Sequence, residues 1–239
     1  MDIQDQAAIV TGASRGIGEA IARRLAGLGA KTILAGRDTA RLELVCHEIV
    51  RVGGNAVQER LDLADAGSID AFSSRMGSRL SGLRVLVNCG GLYCRGSWEE
   101  TTQAELRALF ETNVIGAFAL TRALLPMLIE ARGDLVFVNS TIIASDGKES
   151  GAYAASQHAL RGLTNALRAE INELSVRVLS VFPGRTATPR QERIHRLEGK
   201  AYRPERLLQP ADVAKAIAAC LLLPDTAEVT ELRIRPRYK

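Results

Sequence analysis

Two groups of residues in this chain of 239 have types and spacings that could do chemistry. The first is Thr11-Gly12-Ala13-Ser14-Arg15-Gly16-Ile17-Gly18, which follows directly on an apolar run and opens a helical pattern. Glycines at such a junction permit a tight turn, let backbone approach a pyrophosphate and let the helix pack closely on the strand, while the helix N-terminus faces the anion. The G-x-x-x-G-x-G spacing departs from the generic G-x-G-x-x-G fingerprint, so the glycines alone leave a purely structural turn open as the alternative. The second group is Ser140 and Tyr153, thirteen residues apart, with Gln157 four residues further on. Ser140 ends the run Val-Phe-Val-Asn-Ser, and Tyr153 opens the helical stretch Tyr-Ala-Ala-Ser-Gln. A positioned phenol can deliver and accept a proton. Singly, a tyrosine at a helix start packs and a serine after a strand caps a turn; in this order, behind an anion-binding turn, they fit one reaction scheme.

The elements that must position these residues alternate. Apolar, β-branched runs at Ala7 to Thr11, Lys31 to Ala35, Ala56 to Arg60, Val85 to Asn88, Leu135 to Asn139, Val176 to Val181 and Glu231 to Arg235 read as seven strands. Helical period appears near Gly16 to Leu28, Thr39 to Arg51, Ala66 to Leu80, Gln103 to Ala131, Ala152 to Leu174 and Ala211 to Leu222. This is the pattern of βαβ units, so the expected architecture is α/β: one Rossmann domain over residues 1–239, a doubly wound, seven-stranded parallel sheet with helices on both faces. Thr102 with Glu105 and Ser97 with Glu100 have capping-box spacing, and Gly53-Gly54 can close the second helix. Residues 185–209 are the least patterned, with Pro189 and Pro204 among many charges, and read as a surface excursion that could serve as a substrate lid.

Composition narrows the function classes. With 46% hydrophobic and 24% charged residues, the chain can bury about three quarters of its extended surface around one core. The net charge of +4 comes from Lys and Arg scattered among acids, without basic runs or interleaved aromatics, so no nucleic-acid partner is expected. The apolar stretches Val114 to Ile129 and Ala216 to Leu223 are interrupted or short and read as buried helices, not membrane spans. Cys46, Cys89, Cys94 and Cys220 match neither a zinc site nor a redox pair, so free thiols, no metal and a cytoplasmic location are expected. The N-terminal residues lack signal-peptide features.

The glycine spacing after the first strand resembles that of the short-chain dehydrogenases/reductases, and further landmarks follow in that family's order. Leu61-Asp62-Leu63 stands where the family binds adenine, and Asn88-Cys89-Gly90-Gly91 resembles its Asn-Asn-Ala-Gly segment with two positions changed. Phe110 to Val114 resembles the segment whose Asn, here Asn113, supports a proton relay; Pro183-Gly184 with Thr186 and Thr188 resembles the nicotinamide-side loop. The resemblance spans residues 7–236. It implies cofactor contacts from Gly12, Ser14, Arg15, Gly16, Ile17, Gly18, Arg37, Asp62, Leu63, Asn88, Gly90, Tyr153, Gln157, Pro183, Gly184, Thr186 and Thr188. It also implies Tyr153 as acid and base, Ser140 orienting the substrate oxygen, Asn113 in support, and a homodimer or homotetramer paired through the two long helices.

Two positions refine that expectation. At the end of the second strand an acid would bond the ribose hydroxyls and repel a 2′-phosphate, whereas this chain has Gly36 and Arg37. Arg37 and Arg15 could converge on a 2′-phosphate, so NADP(H) is favoured over NAD(H), with Asp38 as counter-evidence. Gln157 stands where the family has Lys. Residues 153 and 157 share a helix face, and Gln keeps hydrogen-bonding capacity for a ribose but brings no charge to stabilise a tyrosinate. Lys148, His158 and Arg161 are the cations near enough in sequence to be considered as replacements, though the latter two have the wrong helical phase. The expected function is hydride transfer between nicotinamide and a small-molecule carbonyl or alcohol; the alternative is a catalytically impaired NADP(H)-binding relative acting as sensor, scaffold or subunit partner. Leu92, Tyr93, Trp98, Ile142, Ile143, Arg185 and the Arg190 to Leu208 stretch are candidate pocket residues.

Overall fold

In the computed structural model, which describes residues 3–145 and 148–238, the alternating pattern becomes a parallel sheet of seven strands in the order β3-β2-β1-β4-β5-β6-β7. The strands are β1 (Ala7–Thr11), β2 (Lys31–Gly36), β3 (Asn55–Arg60), β4 (Val85–Asn88), β5 (Asp134–Val138), β6 (Arg177–Pro183) and β7 (Glu231–Ile234). Between them run α1 (Gly16–Ala26), α2 (Thr39–Arg51), α3 (Ala66–Arg79), α4 (Gln103–Phe110), α5 (Gly116–Glu130), α6 (Gly151–Ile171), α7 (Pro189–Leu197) and α8 (Pro210–Leu221).

Successive side chains of a strand point to opposite faces, so a strand covered on both sides must be apolar throughout. In β1, Ala8 and Val10 join one core with Leu25, Leu42, Val213 and Ile217 from α1, α2 and α8; Ile9 between them joins the opposite core with Phe72, Leu120, Leu124 and Leu160 from α3, α5 and α6. Ile9 pairs with Ile33 of β2 and Leu86 of β4, which places β1 at the centre of the sheet. The doubly wound expectation is thus met, and the strand order reverses between β1 and β4.

Local chemistry explains most boundaries. Thr102 and Glu105 form the expected reciprocal cap at the start of α4, and Gly53, at φ +86°, ends α2 with Gly54 N–H donating to Ile49 O. Ser97 and Glu100 make the same pair of bonds around a turn that does not continue as a helix. The helix expected from Gln103 to Ala131 is interrupted: Glu111–Ile115 is a π-helical turn between α4 and α5. The full Gln103–Glu130 stretch is long and apolar enough to cross a membrane by length and composition, but Leu120, Leu124 and Leu128 seat it on the sheet, as the buried-helix expectation requires. The 185–209 excursion is more ordered than expected. Its ends pair with each other through the Thr186–Leu208 bridge, and α7 begins at Pro189 behind a Thr188 N-cap.

The N-terminal end of the strands, opposite the glycine turn, is held by a buried ion pair between β5 and β6. Arg177 donates to both carboxylate oxygens of Asp134, at 2.7 and 3.1 Å, and also to the carbonyls of Leu221 and Ala227. It therefore ties β5, β6 and the end of α8 together. Removing one member leaves the other charge buried without its partner. Asp134→Ala is expected to lower unfolding free energy by about 3–5 kcal/mol in denaturant titration, without moving the residues of the cleft.

Candidate active site

The cleft lies at the point of strand reversal, where the loops after β1 and β4 part toward opposite faces. Thr11 latches the two loops: its Oγ1 accepts from Cys89 N–H at 3.0 Å and Gly90 N–H at 2.9 Å. Gly12 sits at φ +66°, and a Cβ there would stand 2.8 Å from Gly90 Cα. A Cβ at Gly18 would stand 2.3 Å from Gly12 O, so α1 packs directly on the turn that starts it. The Ncap residue of α1, Arg15, makes no side-chain cap, which leaves the first-turn N–H groups to face the cleft.

The cavity has a volume of about 1370 Å³, and every residue expected from the sequence to contact the cofactor or do chemistry borders it. Gly12, Ser14 to Gly18 and Arg37 line one end, Asp62, Leu63, Asn88 and Gly90 the adjoining wall, and Pro183, Gly184, Thr186 and Thr188 the side next to Ser140, Asn113, Tyr153 and Gln157. Three buried side-chain atoms on this wall, Asn88 Oδ1, Thr112 Oγ1 and Gln157 Oε1, have no hydrogen-bond partner among the described residues. An uncapped helix N-terminus at one end and unpaired acceptors along the wall fit a ligand with a diphosphate and several hydroxyls. Thr112 and the Thr11 latch carry no sequence signal of their own, since hydroxyls of this kind are common in cores.

Arg15 departs from expectation. It pairs with Asp38 at 2.7 Å, and Asp38 also caps α2 by accepting from Arg41 N–H. The Asp38 carboxylate is thereby engaged twice by its own surroundings, and Arg37 is the guanidinium left at that end of the cleft without a carboxylate partner among the described residues.

At the other end, Tyr153 lies in the first turn of α6 and shares the cavity wall with Ser140, which N-caps the short 3₁₀ turn Thr141–Ala144. Burial raises the phenol above its ordinary value, outweighing the opposite pull of the Arg190 charge and the Ser140 hydroxyl. The Tyr93 ring meets the Tyr153 ring edge-on at 5.0 Å. Cys89 beside them is inert, its thiol pushed up to about 12 by burial. Asn113 lies in the π-helical turn; its Oδ1 accepts from Leu92 N–H at 2.7 Å, and its Nδ2 donates to Leu92 O and Ser156 Oγ. Its carboxamide thus fixes the loop after β4 against α6.

Gln157 is 4% exposed and borders the cavity as its helical phase requires. Of the cations considered as replacements for a lysine there, His158 is exposed, Arg161 is paired with Glu231 at 2.9 Å, and Lys148 borders the cavity. A further cation on the cavity wall is Arg190, at the start of α7, which donates to Gly91 O. Ninety-nine residues separate that donor from its acceptor, so no local period could have announced it. Among the candidate pocket residues, Leu92, Tyr93, Ile142 and Arg185 border the cavity, whereas Ile143 does not and Trp98 stands 94% exposed on the surface.

A family model for short chain dehydrogenases matches residues 6–198. The chain is a short-chain dehydrogenase/reductase. It is 31% identical to an uncharacterized oxidoreductase of Staphylococcus saprophyticus over 99% of each chain. Its fold is similar to the alcohol dehydrogenase of the archaeon Thermococcus sibiricus complexed with 5-hydroxy-NADP, at 31% identity and TM-score 0.88 over 98% of this chain and 97% of that one. It is also similar to a metagenomic short-chain oxidoreductase in complex with NADP, at 32% identity and TM-score 0.86 over 99% of each. The glycine turn after β1, Ser140 after β5, and Tyr153 and Gln157 of α6 border one cavity.

The close packing of α1 on its turn is directly testable. Gly18→Ala is expected to cost on the order of 1–3 kcal/mol in thermal or denaturant unfolding, because the added methyl meets backbone and not a movable side chain.

Proposed function

We propose that this chain is an NADP(H)-dependent oxidoreductase acting on a carbonyl or alcohol of a small-molecule substrate, with Tyr153 as proton donor and acceptor. The observation that carries the reading is that Tyr153 and Ser140 lie on the wall of the same cleft whose far end is the uncapped N-terminus of α1. When bound, the nicotinamide supplies or receives the hydride. The first turn of α1 with Gly12 and Ser14 to Gly18 would hold the diphosphate, Asp62, Leu63, Asn88 and Gly90 the adenosine side, and Pro183, Gly184, Thr186 and Thr188 the nicotinamide side. Gln157 Oε1, buried and unpaired, would accept from a ribose hydroxyl. Ser140 orients the substrate oxygen, Tyr153 moves the proton at that oxygen, and Asn113 keeps the wall in place.

Preference for the 2′-phosphate rests on Arg37 and on the neutralisation of Asp38 by Arg15; the NADP-type ligands of the two solved relatives agree with it. The 185–209 segment, closed at its base by the Thr186–Leu208 bridge, would act as substrate lid. Exposed Ile115, Phe118 and Leu163 on the two long helices support a homodimer or homotetramer, and four free cysteines support a cytoplasmic setting. One observation favours a second reading, a cofactor-binding relative with impaired chemistry: a neutral, buried amide occupies position 157.

An NADPH titration followed by a carbonyl-substrate screen separates the readings. Tyr153→Phe is expected to retain NADPH binding and lose turnover by about a hundredfold or more; binding without any Tyr153-dependent turnover would establish the impaired relative instead. Arg37→Ala is expected to weaken NADPH about ten- to hundredfold, as for loss of a charge-assisted bond, and to leave NADH nearly unchanged. The raised phenol also sets a pH dependence. Reduction consumes the phenol proton and holds to alkaline pH, whereas alcohol oxidation needs tyrosinate and climbs with pH through a midpoint above the ordinary tyrosine value of about 10. Gln157→Lys is expected to lower that midpoint by roughly 1 to 3 units and raise both rates about ten- to a thousandfold, read from pH–rate profiles.

A further inference from the structure

The charged side chains that border the cleft are unevenly divided between its two ends. At the end that holds Arg15 and Arg37, Asp38 and Asp62 balance them. On the wall around Ser140 and Tyr153, Lys148, Arg185, Arg190, Arg233 and Arg235 stand against the single acid Glu198. Contacts between loops fix these cations at that end. Thr141 Oγ1 donates to Pro183 O at 3.4 Å, which joins the Ser140 turn to the end of β6. Arg185 follows Gly184, where a Cβ would stand 3.4 Å from Arg235 Cα, and Arg233 pairs with Phe182 across β6 and β7. The Tyr93 ring, edge-on to Tyr153 at 5.0 Å, reaches Ser150 Oγ with its hydroxyl at 3.1 Å. Lys148 is two residues before Ser150, and Arg190 Nη2 donates to the carbonyl of Gly91, two residues before Tyr93. An extended chain spans at most about 3.3–3.6 Å per residue, so Gly91 lies within roughly 7 Å of Tyr93, and Lys148 within roughly 7 Å of Ser150, Cα to Cα.

Glu198 does not balance this charge. Its carboxylate receives both Nη groups of Arg185 at distances from 2.8 to 3.0 Å and Lys200 Nζ at 2.9 Å, with Arg95 Nη1 at 3.7 Å. Arg233 pairs with Glu231, which also holds Arg161. Lys148, Arg190 and Arg235 have no carboxylate partner among the described residues. Arg190 spends one N–H on a neutral carbonyl and keeps the rest of a planar fork whose geometry matches a carboxylate or phosphate. Uncompensated cations on one concave wall raise the local potential and concentrate anions there. The cofactor's diphosphate and 2′-phosphate are assigned to α1 and Arg37, at the opposite end, and do not account for this charge.

We propose that the substrate of this cleft carries an oxyanion, a carboxylate or a phosphate, held by the Arg190 guanidinium in the field of Lys148 and Arg235. The inference rests on the cleft being the oxidoreductase site described above, and adds the charge of the molecule whose carbonyl or alcohol reacts there.

The test uses the full-length protein loaded with NADPH. Methyl-ketone acids of increasing length, from 4-oxopentanoate upward, are compared with their methyl esters, and dihydroxyacetone phosphate with dihydroxyacetone, both as substrates and, by calorimetry, as ligands. At least one anionic compound is expected to exceed its neutral partner in kcat/KM by about ten- to hundredfold, the effect of one charge-assisted pair, with the advantage shrinking as ionic strength rises. Which series shows the advantage identifies the oxyanion as carboxylate or phosphate. Arg190→Gln is expected to remove most of it, Lys148→Gln and Arg235→Gln less, and Arg190→Lys to keep part, since lysine retains the charge without the fork. The inference is overturned if neutral and anionic partners bind and react alike, or if Arg190→Gln weakens NADPH and every substrate equally, which would make Arg190 a cofactor contact. Calorimetry separates it from the reading on which it rests. Arg190-dependent anion binding without any turnover upholds the anion site and overturns the oxidoreductase assignment, whereas Tyr153-dependent turnover indifferent to substrate charge overturns this inference alone.

Discussion

The close approach of the loops that follow β1 and β4 is the constraint from which the rest of the cleft derives. Neighbouring parallel strands whose helices leave to opposite faces must open a crevice between their carboxyl ends. Here the crevice is narrow at its floor because Thr11 gathers two N–H groups of the β4 loop, and because Gly12 and Gly18 carry no side chain to push backbone apart. That packing exposes the first turn of α1 to the cleft and holds the β4 loop where Asn113 and Arg190 both engage it.

Around this floor, polar groups are arranged with unequal completeness. Asn113 has partners for both ends of its carboxamide and cross-links three elements, whereas Asn88, Thr112 and Gln157 each keep a buried, unpaired oxygen on the cavity wall. Buried unsatisfied atoms are costly, so a cluster of them on one wall is better explained by a ligand than by folding. The π-helical turn that carries Asn113 belongs to the same economy of position: the extra residue in the turn rotates the Asn side chain toward Leu92 and Ser156 while α5 continues its leucine stripe on the sheet.

Charge is distributed differently from hydrogen-bonding capacity. The end of the cleft that holds Tyr153 is apolar and aromatic, its burial favours the neutral phenol, and residue 157 beside it is an uncharged amide. The Arg190 guanidinium comes from α7, which contributes no residue to the two cores flanking the sheet.

The sequence by itself determined the alternation of strands and helices, the helix caps at Thr102 and Gly53 and the cleft residues carried by motif positions, because these depend on side-chain period and on chemistry within a few residues. It also placed Gln157 beside Tyr153, since a helical repeat links them. Tertiary structure alone decided the rest. Arg15 was drawn to Asp38, Arg161 to Glu231 and Arg190 to Gly91 across separations of 23, 70 and 99 residues, and the side chain of Trp98 was left outside the pocket. Helix α7 was hidden in a charged, proline-containing stretch whose few apolar residues give little period. Long, flexible side chains choose partners by proximity in the folded chain, and proximity between distant segments is set by how the sheet brings its loops together, not by any spacing along the chain.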